Sequence, residues 1–301
     1  MTSLLTRRIL PPTPGAPHIF SVDVEDYFQV VAFEGIVDRA RWSSYDSRVE
    51  ANTDRLLGLL AERGVSGTFF TLGWVAEHHP GIVRRIAAQG HEVASHGHWH
   101  RRVNTLSREE FREELRASKA RLEALSGQPC LGFRAPSFSI TPGHEWAFDL
   151  LLEEGFRYDS SLFPIRRPDY GYPSAPASPF LIDRPAGTLL ELPLATLRWL
   201  GLRLPAAGGG YLRQFPTGLI RRAFRQAGDA GISAMFYIHP WEYDAQQPRL
   251  PCGRVTRLRH YGNLGRTWSR MQSLLAEFSF TSVVRRYPEW LGQVTPAGAA
   301  Q

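Results

Sequence analysis

Residues that can bind metal ions or move protons stand directly after several apolar, strand-like runs of this chain. They are Asp23, Glu25, Asp26, His96, His98, His100, Arg134, Asp159 and His239. The reacting groups of parallel α/β barrels lie at the carboxyl ends of the strands. The chain has only ten histidines, so this repeated position after strand-like runs predicts that the side chains meet in one active site.

His96 and His100 have a spacing that is typical of metal ligands. They are four residues apart, which places both imidazoles on one side of a helical turn or a tight loop. A nearby carboxylate would complete a three-ligand site with an open position for water. Surface histidines at this spacing are also common, so the pair gains weight only from carboxylates at another strand end. We expect His98 to face away and His91 to be structural.

The segment S-V-D-V-E-D-Y places Asp23, Glu25 and Asp26 at the end of the first strand-like run. A solvated acidic turn is the common structural interpretation of such a segment. A hydrolase would instead bind its metal with one carboxylate and keep a second one free as a base. Asp23 lies between two valines, where burial would raise its pKa toward the range of a useful base.

Three more residues could complete the proton chemistry. Arg134 supplies a fixed positive charge that could orient a carboxylate base. His239 follows the apolar residues F-Y-I and could act as the general acid, with Asp159 keeping its proton affinity high. A lone buried histidine usually has only a structural partner, so the role of His239 depends on the other residues.

Other catalytic motifs are absent from the sequence. It contains no GxSxG, no GxxxxGK[ST], no GxGxxG after a strand-like run and no HExxH. The glycine run 208–210 indicates a flexible loop rather than a phosphate site. Neither Cys130 nor Cys252 has a base beside it in the sequence, which leaves a nucleophilic cysteine with little support.

The composition is that of an ordinary globular protein. The chain has 301 residues, of which 43% are hydrophobic and 21% charged, enough for one barrel-sized domain or two small domains. The net charge of +6 comes almost entirely from arginine, because Lys119 is the only lysine. The arginines are scattered in pairs such as Arg84-Arg85 and Arg166-Arg167 rather than gathered in a block with aromatic residues. We therefore expect no nucleic-acid partner.

Three further features bear on the cellular location. The two cysteines form no CxxC pair and no disulfide framework, which favours a reducing compartment. Residues 1–18 lack the long apolar core of a signal peptide. No apolar run is long enough to span a membrane. The sequence predicts a soluble, cytoplasmic protein.

Strand-like and helix-like segments alternate along the chain, which is typical of βα units around a parallel sheet. The predicted strands are 19–24, 68–72, 91–95, 131–134, 156–158, 189–192 and 233–239. The predicted helices are 52–63, 81–89, 107–127 with a capping box at Ser107, 141–155 and 216–228. About seven such units favour a closed or nearly closed barrel over an open sheet.

We expect a single barrel domain over residues 19–291, with a C-terminal extension from about residue 240. Residues 1–18 are expected to be a flexible segment and residues 292–301 a frayed tail. Residues 164–185 contain six prolines and several aromatic residues. This stretch is too long for a plain connection, which favours a functional lip beside the site.

Five short motifs occur in the order found in a known enzyme family. They are D-V-E-D, S-H-G-H-W-H, F-R-A-P, Y-D-S-S and Y-I-H-P, between about Ile19 and His239. In this order they resemble the motifs of NodB-homology polysaccharide deacetylases, carbohydrate esterase family four. Two longer segments also resemble the subgroup found with exosortase and exopolysaccharide gene clusters. They are F-S-V-D-V-E-D-Y-F-Q-V and R-L-R-H-Y-G-N-L-G-R-T, and the second resembles the C-terminal extension of that subgroup.

The resemblance implies an α/β fold, a distorted (β/α) barrel of about seven parallel strands, that removes N-acetyl groups from saccharides with a divalent metal, usually zinc. The roles it implies are metal ligands for His96 and His100, base for Asp23, orienting partner for Arg134, acid for His239 and tuning carboxylate for Asp159. A metal-activated water would attack the amide, and His239 would protonate the leaving nitrogen. The implied setting is exopolysaccharide or cell-wall biosynthesis, on a polymer or a lipid-linked saccharide.

One departure from the family leaves the third ligand open. The family commonly has two adjacent aspartates, whereas this chain has the longer D-V-E-D. Strict alternation along a strand would put Asp23 and Glu25 on one face, but a chain that turns off the strand end could present Asp26 instead. We favour Asp26 over Glu25 as the metal ligand.

Residues beside the motifs are candidates for contact with the sugar. Those candidates are Tyr27, Trp99, Pro136 and Trp241. Aromatic rings can stack on sugar rings, but a place in the hydrophobic core is an equally good interpretation for each of them.

Two other functions stay open. Relatives of this fold include metal-assisted amidohydrolases of small cyclic amides such as hydantoins and allantoin. A catalytically inactive carbohydrate-binding module would also keep the fold. The module is less favoured because a base, an acid and ligand candidates are all present. The sequence predicts no particular oligomeric state.

Overall fold

Parallel strands separated by helices make up most of the chain, as the sequence predicts. The structure is a computed structural model and describes residues 6–167 and 170–291. Its strands are β1 (Thr6–Ile9), β2 (His18–Val24), β3 (Thr68–Thr71), β4 (Glu92–Ser95), β5 (Gly132–Phe133), β6 (Tyr158–Asp159), β7 (Phe180–Arg184), β8 (Gly187–Glu191), β9 (Thr196–Trp199), β10 (Leu202–Pro205), β11 (Met235–Ile238) and β12 (Phe280–Thr281).

The helices follow the strands in sequence and cover the sheet. They are α1 (Val49–Arg63), α2 (Gly73–His78), α3 (Pro80–Ala88), α4 (Arg108–Ser126), α5 (Trp146–Glu153), α6 (Gly209–Gln214), α7 (Thr217–Asp229), α8 (Arg254–Tyr261), α9 (Leu264–Glu277), α10 (Val283–Arg286) and α11 (Pro288–Leu291). None of the helices in the described ranges is long and apolar enough to cross a lipid bilayer.

One sheet holds most of the strands in the order β1-β7-β8-β6-β5-β4-β3-β2-β11, with β12 beside β2. The neighbours from β8 to β11 are parallel, and β1 and β7 form an antiparallel edge. The sheet is not closed, although a single parallel bridge joins Leu194 to Met235 near its two ends. The predicted α/β fold with a mostly parallel sheet is confirmed.

The central strands are buried on both faces, as expected of parallel strands between layers of helices. All seven residues of β2 and all four of β3, β4 and β11 are buried. The residues that follow these strands therefore emerge together at one edge of a rigid core. This edge positions the candidate site.

Helix α4 shows how local sequence fixes an element. The side chain of Ser107 accepts a hydrogen bond from the amide of Glu110, and the Glu110 carboxylate accepts one from the amide of Ser107. Gly127 ends the helix in the left-handed conformation, with φ of 65°. The capping box and the helix end predicted from the sequence are both confirmed.

Several elements were not predicted. The segment 1–18, expected to be flexible, contains β1, which pairs with β7. The predicted lip 164–185 includes β7 near its end and also contains residues 168 and 169, which are among those that the structure does not describe. The hairpin of β9 and β10 and the helices after residue 250 were not among the predicted elements. The expected frayed tail, residues 292–301, lies outside the described residues.

Candidate metal centre and active site

The candidate site lies at the carboxyl ends of four parallel strands. Asp23 and Glu25 come from β2, the loop 96–100 from β4, Arg134 from β5 and His239 from β11. Their strands are neighbours in the sheet or one strand removed. The sheet thus brings together residues that are far apart in sequence, as the strand-end pattern predicts.

Glu25, His96 and His100 form a buried cluster of three potential metal ligands. One ligand atom from each residue lies within 4.8 Å of the other two. Oε2 of Glu25 is 2.8 Å from Nε2 of His100 and 3.9 Å from Nε2 of His96. All three residues are at most 4% exposed. Two imidazole nitrogens and one carboxylate oxygen are a ligand set that suits zinc and similar divalent ions.

Two observations fit the cluster to a cation. Oε2 of Glu25 is buried without a hydrogen-bond partner although Nε2 of His100 is close, so this oxygen lacks the partner that buried polar atoms normally have. Nδ1 of His96 lies 2.8 Å from the carbonyl oxygen of Arg134. That contact holds a proton on Nδ1 and leaves the lone pair of Nε2 facing the cluster.

The protonation states of the cluster also suit metal binding. Burial raises the pKa of Glu25, but the charges of His100 and His239 outweigh this effect and lower it to about 2. Burial lowers the pKa of His96 to about 4. A carboxylate and a neutral imidazole are therefore present at neutral pH, and these are the forms that bind metals.

Asp26 does not belong to the cluster, so the preference for Asp26 over Glu25 is wrong for this structure. Its carboxylate faces the start of α1, where Oδ2 accepts hydrogen bonds from the Ser47 hydroxyl and from the amides of Arg48 and Val49. The chain turns directly after β2, where the amide of Glu25 donates to the carbonyl oxygen of Asp23, and the Glu25 carboxylate joins the histidines while that of Asp26 goes to α1.

Asp23 and Arg134 form a buried ion pair beside the cluster. Nη1 of Arg134 lies 2.5 Å from Oδ1 of Asp23 and also donates to the hydroxyl of Ser21. Nε of Arg134 donates to the carbonyl oxygen of Ser160, and Nη2 donates to the hydroxyl oxygen of the same residue. Arg134 is fully buried and holds Asp23 in one orientation. Oδ2 of Asp23 lies 3.8 Å from Nε2 of His239.

His239 is held by Glu242, a residue that the sequence prediction missed. Nδ1 of His239 lies 2.9 Å from Oε2 of Glu242, and Nε2 lies 3.6 Å from Oε1 of Glu25. Burial lowers the pKa of His239, but Glu25 and Glu242 outweigh this and raise it to about 9. The spacing of Glu242 three residues after His239 is that of a capping box, a sequence signal that could have found it.

Asp159 does not tune His239, contrary to the role predicted for it. Its oxygens accept hydrogen bonds from the hydroxyl and the amide of Ser161, and it also bonds to Glu191. Burial raises the pKa of Glu191 well above its usual range, so the pair Asp159–Glu191 shares a proton. The carboxylates that lie near the imidazole of His239 are those of Glu242, Asp23 and Glu25.

The loop that carries both histidines is held by contacts from several sides. Oε2 of Glu114 accepts hydrogen bonds from the amides of His98 and Trp99. Arg39 donates to the carbonyl oxygen of Trp99. His100 has a φ of 51°, a conformation that few residues other than glycine adopt and that is often found in functional sites.

The predicted sugar-contact residues differ in their surroundings. Trp99 is 36% exposed, whereas Tyr27, Pro136 and Trp241 are buried. Trp241 lies between the rings of His239 and His260 and donates from Nε1 to Oε1 of Glu25. Stacking on a sugar therefore does not fit Tyr27 or Trp241 here. Trp241 instead positions Glu25, while Trp99 keeps an exposed ring.

Comparison with known sequences relates parts of the chain to two families. Residues 38–147 match the description polysaccharide deacetylase, and residues 160–287 match a domain of unknown function, DUF3473. The chain contains a polysaccharide deacetylase (NodB/CE4) family domain. The first match covers the loop with His96 and His100 and also Arg134, and the second covers His239.

Two curated relatives are similar to the deacetylase-like part of the chain. A chitooligosaccharide deacetylase from Rhizobium leguminosarum bv. trifolii is 36% identical over 93 residues, 30% of this chain and 43% of that protein. A peptidoglycan-N-acetylglucosamine deacetylase from Bacillus cereus is 31% identical over 127 residues, 41% of this chain and 46% of that protein. The chain thus matches less than half the length of each relative.

Two solved structures share the fold over almost the whole chain. A candidate polysaccharide deacetylase from Mycobacterium smegmatis has a TM-score of 0.61 at 23% identity, over 98% of this chain and 99% of that one. The Puue allantoinase has a TM-score of 0.58 at 18% identity, over 93% and 94%. At these identities the two likenesses concern the fold alone.

Proposed function

We propose that this chain is a metal-dependent hydrolase that removes N-acetyl groups from an N-acetylated saccharide. One observation carries the proposal: the ligand cluster Glu25, His96 and His100 lies beside both a buried carboxylate, Asp23, and a histidine, His239. A base and an acid on one metal centre are what hydrolysis of an amide requires. The relatives named as deacetylases of chitooligosaccharide and peptidoglycan support the choice of substrate.

The proposed metal is a divalent cation, with zinc as the first choice. Glu25, His96 and His100 would hold it, since their ligand atoms converge and Oε2 of Glu25 has no other partner. When bound, such a cation supplies Lewis-acid polarisation of the amide carbonyl and lowers the pKa of a water molecule. The residues around the cluster provide the proton transfers.

Asp23 is the proposed base. Arg134 occupies Oδ1, so Oδ2 is the oxygen left to accept a proton from the attacking water. The ion pair also fixes the direction of Oδ2, which is an advantage because proton transfer requires a short and well-aligned contact. Ser21 and Ser160 hold the guanidinium on its other sides.

His239 is the proposed acid. Glu242 binds Nδ1 and thereby turns Nε2 toward Asp23 and Glu25. From this position Nε2 can protonate the amine that leaves when the amide bond breaks. Acetate and a free amino sugar are the products.

The setting remains the one that the motifs imply, the biosynthesis of exopolysaccharide or cell wall. No described residue of the site specifically favours the alternative substrates, cyclic amides. The similarity to an allantoinase concerns the fold alone. A non-catalytic binding module would not need Asp23, His239 and the ligand cluster in one place.

The proposal is tested by acetate release from N-acetylglucosamine oligomers, with zinc or cobalt added and then with a chelator. Allantoin and hydantoin are assayed in parallel. We expect metal-dependent acetate release that the chelator stops and that His96→Ala abolishes. Hydrolysis of allantoin without acetate release would show that the substrates are cyclic amides and would contradict the proposed deacetylation. Metal binding with no hydrolysis of any substrate would contradict the enzymatic role.

A further inference from the structure

A cavity of about 450 Å³ is lined by nine described residues, three of which are arginines. Its lining residues are Arg102, Asn104, Thr141, Pro142, Arg166, Arg167, Tyr170, Gly171 and Pro173. The volume is within the range of sites for small ligands. None of the metal-cluster residues lines it, so it is a separate feature of the same molecule.

The cavity lies at the same edge of the sheet as the metal cluster. Its walls come from the loops after β4, β5 and β6, the edge where Glu25 and His239 also lie. Arg102 follows His100 by only two residues, and two residues span at most about 7 Å. A saccharide with one residue at the metal cluster could therefore reach the cavity with a neighbouring residue.

The lining carries an excess of positive charge. It contains no Asp or Glu among the described residues. Arg102 has an ion pair with Glu34 at 3.1 Å, but Glu34 also pairs with Arg39 at 2.7 Å. One carboxylate thus serves two guanidinium groups. Arg166 and Arg167 are exposed and have no ion pair within the described part of the chain.

Two buried polar atoms of the lining have no hydrogen-bond partner. They are Nε of Arg102, a donor that suits an oxyanion, and Oδ1 of Asn104, an acceptor that suits a donor such as a sugar hydroxyl. Leaving such atoms unsatisfied is costly unless a ligand or water pairs with them. Arginine binds planar oxyanions with two parallel hydrogen bonds, and three arginines around one cavity suit a carboxylate or a phosphoryl group.

We propose that this cavity, the arginine cavity, binds an oxyanion carried by the saccharide next to the sugar that is deacetylated. This inference rests on the proposed function and adds the substrate class: an acidic rather than a neutral N-acetylated saccharide. The oxyanion is either a ring carboxylate, as in a uronic acid, or a phosphoryl group. The experiment distinguishes the two sources.

The test compares N-acetylated saccharides that differ in charge. Acetate release is measured with N-acetylglucosamine oligomers, with oligomers of alternating glucuronic acid and N-acetylglucosamine, and with N-acetylglucosamine 1-phosphate. Binding of the same compounds is measured by calorimetry in the same buffer. The double variant Arg166→Ala/Arg167→Ala removes two exposed charges of the cavity. Arg84→Ala/Arg222→Ala removes two exposed charges elsewhere and is the matched control.

We expect wild type to prefer an anionic compound, with kcat/KM or affinity at least tenfold above that for the neutral oligomer. The cavity variant should lose at least tenfold of this preference, mainly through KM, while the control variant keeps it. Preference for the glucuronic acid oligomer assigns a carboxylate, and preference for the phosphate assigns a phosphoryl group. Equal binding of neutral and anionic compounds, or an equal loss in both double variants, overturns the inference.

The two proposals can fail independently. If wild type binds the anionic oligomer through Arg166 and Arg167 but releases no acetate from any compound, the arginine cavity stands and deacetylation is contradicted. If acetate is released from neutral and acidic oligomers alike, deacetylation stands and the arginine cavity has no role in selection.

Discussion

Arg134 and Asp23 form a 2.5 Å ion pair in the interior, with the arginine fully buried and the aspartate 1% exposed. Arg134 uses its other donors on Ser21 and Ser160. A buried pair of this kind is costly to break from one side, because the remaining charge has no partner. It links the stability of the core to the base of the proposed reaction.

Removing the arginine should therefore destabilise the protein strongly. Arg134→Gln leaves the Asp23 carboxylate buried without its cation, and we expect a loss of about 3–5 kcal/mol in the free energy of unfolding. Urea denaturation measures it. The matched control is Arg116→Gln, which breaks a surface ion pair with Glu154 and should leave the urea midpoint close to wild type. Similar losses in both variants would contradict the structural role of the buried pair.

Gly73, the first residue of α2, tests the support of the histidine loop. A Cβ at this position would lie 2.2 Å from Nδ1 of His98 and 3.1 Å from Cα of Ser118. Gly73→Ala must therefore push the His98 side chain away from α2, which strains the loop 96–100, and we expect weaker zinc binding and a loss of about 1–3 kcal/mol in stability. Zinc titration and urea denaturation measure the two effects.

Gly58→Ala is the control for Gly73→Ala. Gly58 lies inside α1, and a Cβ added there would have no other atom within 4 Å. Alanine is a better helix former than glycine by about 1 kcal/mol, so Gly58→Ala should be more stable than wild type. Its affinity for zinc should equal that of wild type. Unchanged zinc affinity in Gly73→Ala would show that the loop does not depend on this close contact.

Glu242 should matter for catalysis through the orientation of His239. Glu242→Gln weakens the contact at Nδ1 of His239, and we expect kcat to fall by about tenfold or more. The loss of a general acid altogether would lower the rate by about 10²–10⁴-fold. Zinc stoichiometry should not change. Glu242 also pairs with Arg213 at 2.8 Å, so Arg213→Gln breaks that pair and keeps the contact with His239. A loss of kcat as large in Arg213→Gln would point to disturbed packing instead.

The general outline of the site could be predicted from the sequence because each functional residue follows a short apolar strand. The sheet brings together the strand ends that carry Asp23, His96, His100, Arg134 and His239. The third ligand could not be fixed in the same way. Whether Glu25 or Asp26 faces the histidines depends on the chain direction beyond Val24, and the start of α1 decides it by binding the Asp26 carboxylate.

The partners of the acid and of Asp159 were harder to predict for a different reason. Asp159 meets Glu191 from β8, a pairing across strands that local patterns do not contain. Glu242 takes the place predicted for Asp159 because a short turn after His239 folds it back onto the ring. The arginine cavity likewise joins three loops, whose paths the strand pattern does not determine.

Two buried histidines away from the site should make the protein sensitive to acid. Burial lowers the pKa of His18 and that of His91 to about 4. Nδ1 of His18 accepts from the amide of Ala234, and Nδ1 of His91 accepts from the amide of Gly67. The unfolded chain, with histidine pKa near 6.5, binds more protons between pH 6.5 and 4. The contribution of these two histidines to the free energy of unfolding is therefore complete above pH 6.5 and is lost as the pH falls toward 4.

The expected size of this effect is about 2 kcal/mol for each histidine at pH 5. Urea denaturation between pH 8 and 4 measures it, and His91→Asn, which keeps a polar side chain but cannot be protonated, should reduce the loss between pH 7 and 5 by about that amount. The same pH dependence in His91→Asn and wild type would show that His91 is protonated equally in the folded and unfolded states.

The central claim is that Glu25, with His96 and His100, holds a divalent metal. Equilibrium dialysis with zinc tests it directly on three proteins: wild type, Glu25→Gln and Asp26→Asn. We predict one tightly bound zinc per chain in wild type and Asp26→Asn, and a loss of at least about 100-fold in affinity in Glu25→Gln. Retention of tight zinc binding by Glu25→Gln together with its loss in Asp26→Asn would contradict this ligand set.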